Sequence, residues 1–283
     1  MTSLKQEYEM ERFGRSWGLI KACFGVLNND KELLLFPIIS SIAALFVMAT
    51  FALPLFFAGI FQNGAGVFSF VIGFLFYLCL YTVMFFFNAA LVGAALIRLK
   101  DGNPTVSDGL AIAKQNIGAI IGYAAIAATV GMLLKMKGNR SGLIANMIKS
   151  IAGMAWTLST FLVVPVLVSQ KIGPIDAIKE SATLLKKTWG ENLIGSAGIW
   201  IGFGIVSFLY IIVSIVLIIV AGQVSTSLAI GLGVLLVFGL ALISIIKSAI
   251  SAIYTAALYR FASDGEAPKG FESQQMSLAF AKT

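Results

Sequence analysis

The chain contains no histidine, so the side chain that most often acts as a general base near neutral pH, and most often ligates metals, is missing. Serine proteolysis of the rhomboid type needs a histidine partner and zinc proteolysis needs an HExxH pair, so both are excluded. Charge is scarce too: 12% of the 283 residues are Asp, Glu, Lys or Arg, about half the share found in soluble domains. None of the thirteen acidic residues falls inside an apolar run, which leaves intramembrane aspartyl chemistry without its pair of carboxylates. Two cysteines, Cys23 and Cys79, stand 56 residues apart. They make neither a CxxC motif nor a zinc set, and read as small packing residues. Phosphate-binding Gly-rich loops ending in Lys-Ser or Lys-Thr are absent. Asp176 and Glu180 share a helix face, but Lys179 and Lys187 surround them, an ordinary solvated pattern. With Asp108 they are the remaining acidic residues weighed for catalysis at the cytoplasmic face. The reading is of a protein that is not an enzyme and carries no cofactor or metal.

What the chain has in abundance is apolar surface. Apolar residues make up 59%, mean hydropathy is +0.94, and residues 33–97 and 192–246 carry no charge at all. A bilayer core of about 30 Å takes ~20 apolar residues at 1.5 Å rise each. Breaks at Gly, Asn, Gln and Ser clusters divide the runs into six expected spans, at 34–60, 67–97, 117–134, 143–168, 193–220 and 228–259. The fold class is therefore all-α: a polytopic membrane bundle forming one domain over 1–283. The third span is the shortest and richest in Ala and Gly, which also fits a re-entrant segment.

Orientation follows from the basic residues. With both termini in the cytoplasm, fifteen of the twenty Lys and Arg residues lie inside, as do all thirteen acids. Lys135, Lys137, Arg140 and Lys149 fall in a turn that this topology places outside, and Lys247 lies within the last span. The expected location is the cell membrane, multi-pass. The net charge of +7 belongs to this orientation and not to nucleic acid. Ten charges in the first 32 residues argue against a cleavable signal peptide.

A spacing recurs before three of the spans. Phe13, Trp17, Ile20, Phe24 and Leu27 mark one helical face; Val106, Leu110, Ala113 and Ile117 repeat it; Ile178, Ala182, Leu185 and Trp189 repeat it again. Each copy has a lysine after its middle apolar residue (Lys21, Lys114, Lys186) and a glycine (Gly25 after Phe24, Gly118 after Ile117, Gly190 after Trp189). The even-numbered spans close alike, on Ala95-Leu96-Ile97-Arg98, Val166-Leu167-Val168-Ser169 and Ala257-Leu258-Tyr259-Arg260. Three units of amphipathic helix plus hairpin follow, at 12–104, 105–174 and 175–265. All enter from one side, so the repeat is parallel and not inverted. The amphipathic helices are expected on the cytoplasmic surface, with aromatic rings and lysines at the headgroups.

Arg15-Ser16-Trp17-Gly18, the run from Asp30 to Pro37 (DKELLLFP), Phe161 to Leu167 (FLVVPVL) and Lys187-Thr188-Trp189-Gly190-Glu191 together resemble a prokaryotic family of uncharacterised six-span membrane proteins. The resemblance covers most of the chain and implies a bacterial or archaeal cytoplasmic membrane, with no activity to carry over. The alternation of interfacial and spanning helices also resembles the membrane domain of some glycerophosphodiester phosphodiesterases, although no soluble phosphodiesterase domain follows.

Two sets of candidate residues emerge. A polar path through the bundle is expected from Lys247, an ionisable residue within the last span, Asn88 at similar depth, and the hydroxyls Thr157 and Thr160 beside the helix-bending Pro165. Lipid-interface contacts are expected from Phe13, Trp17, Lys21, Phe24, Lys186 and Trp189. The leading function is a non-enzymatic membrane component that binds lipids, or a membrane protein partner, through its surface helices. The alternative is a small-solute transporter or channel.

Overall fold

The computed structural model describes residues 18–57, 67–135, 143–187, 192–265, 268 and 271. Among them every regular element is helical. Helix α1 covers 18–29 and a 3-10 turn at Lys31–Leu34 leads into α2 (Leu35–Phe57). The remainder are α3 (Val67–Arg98), α4 (Val106–Gln115), α5 (Ile117–Lys135), α6 (Leu143–Ser159), α7 (Val163–Gln170), α8 (Pro174–Lys187), α9 (Asn192–Val224) and α10 (Thr226–Asp264).

Among the described residues six segments are long and apolar enough to cross a membrane: Lys31–Ala52, Phe70–Arg98, Ile117–Leu134, Ser150–Gln170, Ile199–Val224 and Thr226–Asp264. They coincide with the six expected runs. The third is a continuous helix of 19 residues, about 28 Å long at 1.5 Å per residue. That length suits a crossing.

Local chemistry sets the helix starts. Thr105 caps α4 with a reciprocal box: its side chain accepts from the Asp108 amide while the Asp108 carboxylate accepts from the Thr105 amide at 2.9 Å. Those hydrogen bonds hold the Asp108 carboxyl below its usual range. Pro174 occupies the first position of α8, where its missing amide donor costs nothing.

Helix α3 stands at the centre, packed against α2, α4, α5, α7 and α10. The Phe85 ring meets Tyr123 of α5 in a tilted contact at 4.5 Å, and within α3 Tyr81 stacks on Phe85 at 5.7 Å. The core gathers three helical stretches, 89–95, 162–168 and 249–259, and around them lie buried residues of α1, α4 and α8. These three shorter helices mark what we call the charged end of the bundle. Toward the opposite end α2 still meets α3, where the Phe51 and Phe76 rings pack edge to face at 5.6 Å. There α9 packs along α10, where the Tyr210 hydroxyl donates to the Leu235 carbonyl at 2.8 Å and its ring lies against Gly239.

Span four is not one helix. It breaks at 160–162 between α6 and α7, and the hydroxyls beside the break are used on the backbone. Thr157 donates to the Gly153 carbonyl at 2.9 Å and Thr160 to that of Trp156 at 2.8 Å. On the far side the Leu162 amide donates to the Ser181 Oγ of α8 at 3.0 Å, in a fully buried setting. Pro165 is the third residue of α7 and needs no intrahelical acceptor there.

Candidate functional site

The expected interface helices are placed differently from their sequence reading. In α1 the buried residues are Leu19, Ile20, Cys23, Val26 and Leu27, while Phe24 is 41% exposed and stacks at 6.4 Å on Phe203 of α9. In α8 they are Ala177, Ser181, Leu184 and Leu185, and in α4 Gly109 and Ala113. The expected stripe is thus turned by about one residue, and its inner edge packs on protein. In α4 and α8 the small residues Gly109, Ala113, Ala177 and Ser181 lie on the buried face, joined in α8 by Leu184 and Leu185, while in α1 Cys23 is flanked by Leu19, Ile20, Val26 and Leu27. Lys21, Lys114 and Lys186 are exposed, as the pattern requires. Phe13, Trp17 and Trp189 lie outside the described residues, as do Lys137 and Arg140 of the basic turn. Cys23 is buried, which pushes its thiol ionisation up.

The expected polar path divides into separate sites. Thr157, Thr160 and Pro165 belong to the break in span four. Lys247 is half-buried and turns toward α9, its Nζ 3.4 Å from the centroid of the Trp200 ring, a cation–π geometry. Asn88 faces elsewhere. With Ser40 and Ser41 of α2 and Ser244 and Ser248 of α10 it lines a cleft of about 280 Å³ between α2, α3 and α10, walled by Pro37, Ala44, Met84, Phe85, Phe87, Leu91 and Ile245. Lys247 is not part of that lining. Residues 244 and 248 are one turn apart and share the face turned to Asn88; residue 247 lies on the flank of that face, and its side chain reaches Trp200 of α9.

Ser41 donates to the Pro37 carbonyl at 2.7 Å. The side chains of Ser40, Asn88, Ser244 and Ser248 make no hydrogen bond among the described residues. The cleft therefore offers three uncommitted hydroxyls and a carboxamide, each able to donate and to accept, and no charge. The sequence reading named Asn88 and missed the four serines. Their signal was present as a pair at i, i+4 in α10 and a doublet just after Pro37, but nothing local says that they meet.

The level of the cleft is set by what surrounds it. Asn88 lies 21 residues from Val67, and Lys247 lies 21 from Thr226, so each is about 31 Å from the far end of its helix. The last exposed large apolar side chain is Met84 in α3 and Leu242 in α10, whereas in α2 Leu35 and Ile39, and in α5 Ile117 and Ile121, stay exposed nearer the charged end. One bilayer core of ~30 Å separates this level from the far helix ends. Toward the charged end Leu91 walls the cleft, and Phe36, Ile250 and Ile253, further along the same helices, are at most 1% exposed.

Two charged groups at that end serve the fold. The Arg260 guanidinium donates to the Leu99 carbonyl, closing the C-terminus of α3, and its Nε lies 3.6 Å from the Asp264 carboxylate. Asp30 is 7% exposed with one carboxylate oxygen unpaired. Burial raises its pKa, the nearby Arg98 lowers it and Glu32 adds to the rise. A raised acid favours the folded state when protonated, so its contribution is complete below the ordinary value of 3.8 and is lost as pH rises through the folded value. Asp30→Asn is therefore expected to raise the melting temperature in detergent at pH 7, by roughly 2–4 °C for each kcal/mol relieved. The gain should shrink as pH falls toward 4.

No curated protein matches the chain, so the resemblance to the membrane domain of glycerophosphodiester phosphodiesterases finds no support. One family model does match, across residues 67–270, from the start of α3 past the end of α10. Six apolar helices, a break in the fourth and a cleft between α2, α3 and α10 are thus features of a chain that belongs to a family of unknown function, DUF6159.

Proposed function

We propose that this membrane protein is a non-catalytic lipid-binding component, and that lipid enters the lateral cleft between α2, α3 and α10. One observation carries the reading: three hydroxyls and a carboxamide, without partners among the described residues, line a lateral cleft flanked by the exposed apolar side chains Ile39, Leu45 and Met84. Unpaired polar groups at the margin of hydrocarbon are costly, and a lipid's glycerol and ester region lies at that height. The surface helices expected to bind lipid become struts that close the charged end, because their apolar residues are needed inside. A small-solute path receives less support, since buried apolar side chains close the cleft toward the charged end.

The reading keeps the cell membrane, with both termini cytoplasmic, on the fifteen-to-four distribution of Lys and Arg. It also keeps the parallel threefold repeat. In its favour, the described residues with positive φ are Asp101, Lys171 and Gly265, each just past the end of α3, α7 or α10, and each of those helices contributes one of the three buried core stretches.

Native mass spectrometry of protein released from nanodiscs tests the function. Wild type is expected to retain bound lipid, while Asn88→Leu with Ser244→Leu loses it at unchanged helical content. Equal retention by both proteins overturns the proposal.

A further inference from the structure

We propose that the occupant of this cleft is a neutral lipid with a free hydroxyl, of the diacylglycerol class, and not an anionic phospholipid. The inference rests on the lipid reading above and narrows it. Polar groups in the cleft are all uncharged, and Lys247, which precedes Ser248 in the chain, is turned onto Trp200. Phosphate recognition depends on cationic or charge-assisted donors; a hydroxyl ligand needs partners that both donate and accept, as Ser40, Ser244, Ser248 and Asn88 do. Size points the same way. About 280 Å³ is at the lower limit of small-molecule sites, ~300–1,000 Å³, enough for a glycerol hydroxyl with its ester groups while the tails lie outside.

The walls match such a ligand. Met84 stands one turn beyond Asn88 toward the far end of α3, and Leu45 stands one turn beyond Ser41 in α2; they are 46% and 61% exposed. A molecule with its hydroxyl among the serines would lay acyl chains along those side chains. Nor does the fold demand polarity at this position. When the even-span ends of the proposed repeat are aligned, Asn88 corresponds to Ser159 and Ile250, and Ile250 is an apolar core residue.

The test uses the full chain in phosphatidylcholine nanodiscs with two photoactivatable probes of identical tails, a diacylglycerol and a phosphatidic acid, which differ only by the phosphate. Diacylglycerol is expected to label the chain about tenfold more than phosphatidic acid, with adducts on α2, α3 or α10. Asn88→Leu, and separately Ser244→Ala with Ser248→Ala, should each cut that labelling about tenfold, the worth of one or two hydrogen bonds. Circular dichroism and melting temperature identify any variant that has failed to fold, and the serine pair, being exposed, provides the second measurement. Equal or stronger labelling by phosphatidic acid overturns the neutral class while leaving lipid binding intact. Labelling by neither probe overturns both. Full competition by free glycerol at millimolar concentration identifies a soluble polyol as the ligand and overturns the inference.

Discussion

Gly109→Ala is expected to destabilise the protein by about 3 kcal/mol, at the upper end of ordinary overpacking costs. A Cβ at position 109 would lie 2.5 Å from the Phe36 ring edge and 2.7 Å from the Ala90 carbonyl oxygen. Phe36 is 1% exposed and has no room to retreat, and the Ala90 oxygen is part of the α3 backbone. Relief requires α4 to move off α3, which opens the contact that seals the charged end. Gly118→Ala, at a position with nothing within 4 Å, is the control; helix propensity alone makes it neutral or slightly stabilising, by up to about 1 kcal/mol. Unfolding in mixed detergent micelles checks both. Similar midpoints for the two variants would mean that α4 does not press on α3.

Ser181→Ala is expected to cost about 1–3 kcal/mol, because it removes the acceptor of the buried Leu162 amide. Both residues are fully buried, so water cannot replace the lost oxygen. The effect should be local as well as global. Amide exchange at 162–164 should speed up before the rest of α7, since this hydrogen bond fixes where the half-helix begins. Ser181→Cys keeps a weaker acceptor of similar size and should fall between alanine and wild type. A loss below about 0.5 kcal/mol for alanine, within the range of featureless surface substitutions, would mean that the break in span four is held by something other than α8.

How far the residues themselves announced this arrangement differs from element to element. The six runs were legible because hydrocarbon imposes a minimum length of apolar helix whatever the neighbours do. The outward lysines Lys21, Lys114 and Lys186 were legible for the same kind of reason, since a charged terminus goes to water. The buried side of α1 was not. Periodicity marks a stripe of large apolar residues, but both lipid and protein accept such a stripe, and the closest contact falls to Cys23 and its neighbours beside Phe24. In α4 and α8 the small residues Gly109, Ala113, Ala177 and Ser181 take that place. Thr157, Thr160 and Pro165 signalled a bent helix correctly, yet their hydroxyls are satisfied within one turn.

Sequence alone determined that the chain is helical, with six segments long and apolar enough to cross a membrane, because helix length and charge placement answer to the solvent and act locally. Tertiary structure decided which edge of each amphipathic helix is buried, that Lys247 turns to Trp200, and that Asn88 shares a cleft with serines about 45 and 160 residues away along the chain. Side-chain direction along one helix is fixed by its own geometry; which neighbour stands opposite depends on how three helices cross, and no single helix encodes that.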